Sequence, residues 1–176
     1  PIFPCWNSYT AAMIGDHCIA AIGDAYIKGV RNFDIEKAYE AMRKNAFESP
    51  ANKKDYQNGM GRRALQSYLK YGYIPLEDSV PDAFHTKEQV SRTLEYAYDD
   101  FVLSQVAKQL QKNEDYKLLS VRALNYRNVI DPQTGYAQGR HTDGTFLKEQ
   151  NAFQFAKFIT EGAPCHYTWY VPHDPY

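Results

Sequence analysis

The chain has 176 residues, enough for one domain with its own core, and sets 20 Lys+Arg against 21 Asp+Glu for a net charge of −1. That balance, with no basic stripe, argues against a nucleic-acid partner. No run of about 18 apolar residues occurs, so nothing reads as a membrane span.

Aromatics make up 15% of the chain, with 15 Tyr. They suit a surface that recognises a polar ring, or equally a helical core with Tyr at its rim. The cysteines are Cys5, Cys18 and Cys165. Their odd count and the absence of CxxC argue against a disulfide framework. His17-Cys18 and Cys165-His166 match no zinc spacing. The chain opens Pro1-Ile2-Phe3-Pro4, without a signal-peptide pattern.

In chain order, the first predicted helix runs from near Thr10 to Lys28. It is apolar on most sides and so expected to be buried, with Gly15 and Gly23 permitting close packing. Asp16, His17 and Asp24 interrupt its surface. Each is either satisfied structurally, the plainer reading, or faces a cavity. Gly29 ends the helix and Asp34 caps the next, Ile35 to about Phe47, with Ala38, Ala41 and Met42 on one face.

Residues 49–61 read as a polar loop, Arg62 to Tyr71 as a short helix ended by Gly72, and Tyr73-Ile74-Pro75 as an extended piece. The strongest helix begins at Thr86, where Thr86 and Gln89 form a capping box. Val90, Leu94, Ala97, Phe101, Leu103, Val106, Ala107 and Leu110 follow at helical spacing. Asn113 caps a partner helix from Glu114 to about Val129, with Leu118, Val121, Ala123 and Leu124 inside, and the short turn implies an antiparallel hairpin. Residues 131–144 form a long irregular loop, and Pro164 breaks the aromatic-rich end. The fold class is mainly α.

Chemistry concentrates near the end. Glu161 lies among Phe155, Phe158, Tyr167 and Trp169. Apolar rings disfavour the charged form of a carboxyl and raise its pKa, as a general acid requires near neutral pH. A surface Glu at a helix end is the plain alternative. His166, Trp169 and His173 are candidates for a sugar subsite, or core rings. Extended alternation would set Tyr167 and Trp169 on one face. Glu95 and Asp99 share a helical face, and an exposed pair with Arg92 accounts for Glu95 without function. Arg140, His141 and Asp143 lie on the long loop, where binding groups are common. Phosphate loops, dinucleotide fingerprints, HExxH and GxSxG are absent.

Several stretches resemble glycoside hydrolase family 92, the calcium-dependent exo-α-mannosidases of gut Bacteroidetes. They are Ala12 to His17, Asp24 to Gly29, Tyr71 to Pro75, Val90 to Asp100, Asp131-Pro132 with Gly139-Arg140, and Thr160-Glu161-Gly162 with Tyr167 to Asp174. They run in order over nearly the whole chain, and Leu-Glu-Tyr-Ala-Tyr-Asp-Asp is the most specific. The resemblance implies an incomplete portion of an (α/α)6 catalytic barrel, with the family's β-sandwich domain and the barrel's C-terminal part absent. It implies Glu161 as general acid and an inverting hydrolysis of terminal α-mannosides on glycans. It places the general base and the calcium ligands beyond Tyr176, so the isolated chain is expected to be inactive. A periplasmic or secreted location follows by the same route. Where members commonly carry Gln, this chain has His166, which implies an altered subsite. The rival is a non-catalytic helical module that binds sugar or serves as a scaffold.

Overall fold

The computed structural model describes residues 2–3, 8–9, 13–83 and 85–175. Cys5, Ala12, Tyr176 and the first turn of the helix expected at Thr10 lie outside them. A two-residue antiparallel pair, β1 (Ile2–Phe3) with β2 (Ser8–Tyr9), precedes seven helices among the described residues.

Helix α1 (His17–Ile27) starts later than its apolar pattern suggests, and residues 13–16 are not helical. Only Ile19 and Gly23 of α1 are buried, and Ile27 is 51% exposed, so it is not the buried helix its composition implied. Gly23 does permit close packing: a Cβ there would sit 2.3 Å from Val102 Cγ1. Gly29, at φ 98, follows the helix end in the left-handed region that glycine tolerates.

Helix α2 spans Ile35–Phe47 as expected, and the Asp34 side chain accepts from Lys37 N at 3.1 Å. Its buried face is Tyr39, Met42 and Ala46, however, while Ala41 is exposed. The polar 49–61 stretch holds a short helix α3 (Lys53–Gln57), capped by the Asn52 side chain. Helix α4 (Leu65–Tyr71) closes on Gly72 at φ 72.

Helix α5 (Gln89–Gln109) organises the rest. At about 1.5 Å per residue its 21 residues make a rod of about 30 Å. Leu103, Val106 and Ala107 pack with Ile19, Met42 and Leu119. Val90 and Leu94 pack with Val129, Phe158 and Ile159, and Tyr96 packs with Leu65, Tyr68 and Ile74. One helix thus feeds three apolar clusters, which is why so little of it reaches solvent.

The expected capping box at Thr86 does not form. Lys87 and Glu88 take positive φ (74 and 51), and the helix starts at Gln89. Its first donors are satisfied from afar instead: Glu88 N bonds Lys157 O at 3.1 Å and Val90 N bonds Phe158 O at 3.0 Å.

Helix α6 (Asn113–Arg122) returns antiparallel, since Asp100 midway along α5 meets Arg122 at the far end of α6. A 3-10 stretch, Ala123–Val129, continues it. The buried residues are Leu119, Arg122, Ala123 and Val129. Leu118, Val121 and Leu124 are 48%, 70% and 43% exposed, so of the four residues expected inside only Ala123 is buried. The pull of Asp100 on Arg122 turns the helix away from its simple apolar pattern.

The 131–144 loop is irregular, with isolated bridges Ile130–Ala137 and Arg140–Phe146. Pro164 starts the last helix, α7 (Pro164–Tyr167), rather than breaking one. Because 164–167 are helical, the extended alternation expected for Tyr167 to Tyr170 does not arise.

Candidate active site

The C-terminal segment lies along α5 and is pinned to it turn by turn. Thr160 N donates to Ser91 Oγ at 2.9 Å, and Tyr170 OH donates to Glu95 Oε2 at 2.8 Å. The His173 ring stacks on Phe101 with centroids 5.3 Å apart. Glu161 sits on the turn between these anchors, between buried Thr160 and buried Ala163. Its backbone takes φ 49, a conformation that L-residues other than Asn and Asp seldom adopt. The turn therefore projects Glu161 outward from a fixed base.

The apolar surround expected of Glu161 is not found. Its side chain is 68% exposed, and Phe155 and Trp169 are 70% and 83% exposed. Its nearest polar partner is a histidine: His85 Nε2 lies 3.7 Å from Glu161 Oε1, while His85 Nδ1 lies 3.0 Å from Glu88 Oε1. Glu88 is buried, and burial raises its carboxyl above the usual range. His85 and Arg92 oppose that shift, and the charge of Glu161 reinforces it. Sequence spacing missed both His85 and Glu88, because the contact spans the whole helix-to-tail distance along the chain. The departure of Lys87 and Glu88 from helical geometry carries no local signal.

Glu88, Arg92, Glu95 and Asp99 continue down one side of α5. The exposed Arg92–Glu95 pair does not exist. Arg92 is fully buried and directs its guanidinium to Glu88 at 3.8 Å and to His85 O at 2.6 Å. Glu95 is 8% exposed, bonded by Tyr170, with His17 Nδ1 at 3.8 Å. Burial raises its pKa against the opposing pull of His17 and Tyr170. A Cβ on Gly15 would come within 2.7 Å of Glu95 Oε2, so a side chain there would have to displace the Glu95 carboxylate.

Asp99 accepts from Asp16 N at 2.8 Å, and its Oδ1 has no hydrogen-bond partner. Burial lifts its carboxyl well above the usual range, opposed by Arg62 and reinforced by Asp16 and Glu95. Asp16 itself is buried with Oδ2 unbonded, 3.7 Å from Arg62 Nε, while His17 and Asp24 are exposed. The arrangement sets the buried acids Glu88, Glu95 and Asp99 along one side of α5, with the open carboxyl of Glu161 beyond His85 at one end.

The remaining candidates separate. His166 is exposed beside the Glu161 turn, and its Nδ1 accepts from Ala163 N at 3.2 Å. Trp169, at 83% exposure, presents nearly its whole ring to solvent. His173 is turned inward: its Nε2 donates to Ala123 O at 2.8 Å, and Tyr98, Phe101 and Tyr126 surround the ring. Burial depresses its pKa against the pull of the Ala123 carbonyl and Asp174. His141 bonds Glu77 at 2.7 Å, and Arg140 bonds Gly144 O and Asn128 O, so the long loop is tied to itself and its neighbours. Among the described residues, no three His, Cys, Asp or Glu side chains converge as a metal site.

The sequence model of the glycosyl hydrolase family 92 catalytic domain matches residues 1–176. A solved GH92 α-mannosidase from Bacteroides thetaiotaomicron is 39% identical with a TM-score of 0.77, over 92% of this chain and 19% of its own. A solved GH92 inverting mannosidase from the same organism is 32% identical with a TM-score of 0.80, over 93% of this chain and 21% of its own. A protein described as an uncharacterized secreted glycosidase from Arthroderma benhamiae is 32% identical over 131 residues, 73% of this chain and 16% of its own. The chain thus spans about a fifth of the solved relatives' length. Its mainly helical structure agrees with an incomplete portion of an (α/α)6 barrel. Whole-length agreement with the family and these structural likenesses place the chain in glycosyl hydrolase family 92, within its catalytic domain.

Proposed function

We propose that this chain forms part of an inverting, exo-acting α-mannosidase that releases terminal mannose from glycans, with Glu161 as the general acid. The observation that carries the reading is the Glu161 turn: an open carboxyl projecting from a segment whose flanking residues are buried and bonded to α5. A proton donor has to be presented to a leaving oxygen without moving, and such a turn supplies that fixity. His85 stands at the carboxyl and Glu88 holds His85, so the pair is suited to keeping Glu161 oriented.

His166 and the open ring of Trp169 are the groups we assign to sugar contacts, the latter as a flat face for a pyranose. His173 belongs with them through position alone: its ring is engaged inside the fold, and it acts by holding the segment that carries Trp169.

Inversion places a second carboxyl about 6.5–9.5 Å from the acid, with water between. We assign that base to a part of the relatives' domain that this chain does not span. Calcium, which the family resemblance implies, meets no cluster of three His, Cys, Asp or Glu side chains among the described residues, and we assign its ligands to the part of the domain that this chain does not span. A secreted or periplasmic setting is supported by the secreted relative.

The test is proton NMR of the reaction of the full-length protein with an α-linked mannobioside. Inversion releases mannose first as the β anomer, which then equilibrates. The isolated 176-residue chain is expected to release none. First appearance of the α anomer, or release by the isolated chain, contradicts the reading.

A further inference from the structure

A cavity of about 330 Å³ opens between the start of α1, the end of α2 and the loop leading into α4. Arg62 and Arg63 line it, each 2% exposed. Arg62 is answered by acids: its Nη1 bonds Asp100 at 2.7 Å and its Nε lies 3.7 Å from Asp16. Arg63 is not. Among the described residues it forms no ion pair, and its Nε and Nη1 are buried without a hydrogen-bond partner. Its guanidinium rests on the face of Tyr56, 4.0 Å from the ring centre. A cation–π contact is weaker than the desolvation cost of a buried ion, so the fold holds Arg63 in a state that an incoming anion relieves.

The Nε and Nη2 of Arg62 are also buried and unbonded, which adds donors at the same cavity. Lys44, Asn45 and Ser49 sit on its wall with a further cation and neutral donors. Asp16, Glu48 and Asp55 line it too: Asp16 is buried and faces Arg62, which offsets its charge, while Glu48 is exposed and Asp55 is partly exposed and held by Asn52, so water screens these two. Guanidinium groups with free, coplanar N–H pairs are matched to the spacing of oxyanion oxygens.

We propose that this cavity binds a small oxyanion, free or carried as the acidic substituent of a larger ligand, with Arg63 as the anchor and Arg62 as the second donor. The probe is inorganic phosphate, titrated into the full-length protein by calorimetry at constant ionic strength, with chloride as the control. Saturable phosphate binding and a raised Tm are expected for the wild type. Arg63→Met keeps the apolar stem against Tyr56 and removes the donors. It is expected to weaken binding at least about tenfold. Arg127→Gln, at a surface arginine far along the chain, is expected to bind as wild type.

A monosaccharide phosphate compared with its free sugar separates the two sources. Tighter binding than inorganic phosphate identifies a carried group, and equal binding identifies the free ion. Wild-type protein that takes up no oxyanion overturns the proposal, as does undiminished binding by Arg63→Met. Should that variant fail to fold, Arg63→Lys reads the same claim, because it keeps the charge and loses the fork. Weakened binding supports the proposal, and wild-type binding overturns it.

Discussion

Asp100 and Glu161 are both acids anchored to α5, and the fold treats them in opposite ways. Asp100 is fully buried and accepts four hydrogen bonds, from Arg62, twice from Arg122, and from Tyr68. It ties α4, α5 and α6 into one unit. Glu161 is 68% exposed and meets one histidine at 3.7 Å. What is rigid at Glu161 is the backbone beneath it, through Thr160 N on Ser91 and Ala156 N on Gly162 O at 3.2 Å. The carboxyl that serves the fold is saturated with donors, whereas Glu161, the proposed proton donor, is left open on a saturated support. The acids between them, Glu95 and Asp99, are intermediate: both are buried with raised pKa, and Asp99 keeps one oxygen unbonded.

The largest effect expected from this contrast falls on Asp100. Asp100→Ala leaves two arginines facing a vacancy in a dry interior, at a cost of about 3–5 kcal/mol. Native domains hold about 5–15 kcal/mol in total, so a large fall in Tm or failure to fold is expected. Circular dichroism melting reads this, and a wild-type Tm would break the comparison.

A smaller effect is expected at His173. Its folded pKa is depressed by burial, so its contribution is complete above the unfolded value of about 6.5 and is lost as pH falls through the depressed folded value. His173→Phe keeps a ring against Phe101 and loses the bond to Ala123 O. It should cost about 1 kcal/mol at neutral pH. The gap to wild type should shrink on acidification below about pH 6.5. Melting curves taken across that range check it, and a constant gap would show that the ring does not titrate as described.

The sequence carried much of this fold where stability is local. The Asp34 cap, the Ile35–Phe47 helix and the Gly72 stop depend on neighbours within a turn, and each appears as read. The start of α5 does not, because its first N–H groups bond to Lys157 and Phe158 carbonyls, about seventy residues away. The inner face of α6 was misplaced for a related reason: a buried arginine drawn to Asp100 outweighs the leucines that an amphipathic reading places inside. At the candidate site, Glu161 was singled out by its aromatic neighbours in the sequence and by the family resemblance, but the burial those neighbours implied is absent, since Phe155, Trp169 and Glu161 itself are open to solvent. His85 and Glu88 were invisible, because a tertiary contact brings them to the turn.

The central claim is that Glu161 donates the proton to the leaving oxygen. The most direct measurement is turnover of the full-length protein and its Glu161→Gln variant on two substrates, an unactivated α-mannobioside and an aryl α-mannoside with an acidic leaving group. Loss of a general acid should cost about 10²–10⁴-fold on the mannobioside. The aryl mannoside, which needs little proton donation, should lose far less, and Tm should be unchanged because the side chain is open to solvent. Equal losses on the two substrates, or an undiminished rate on the mannobioside, would contradict the account.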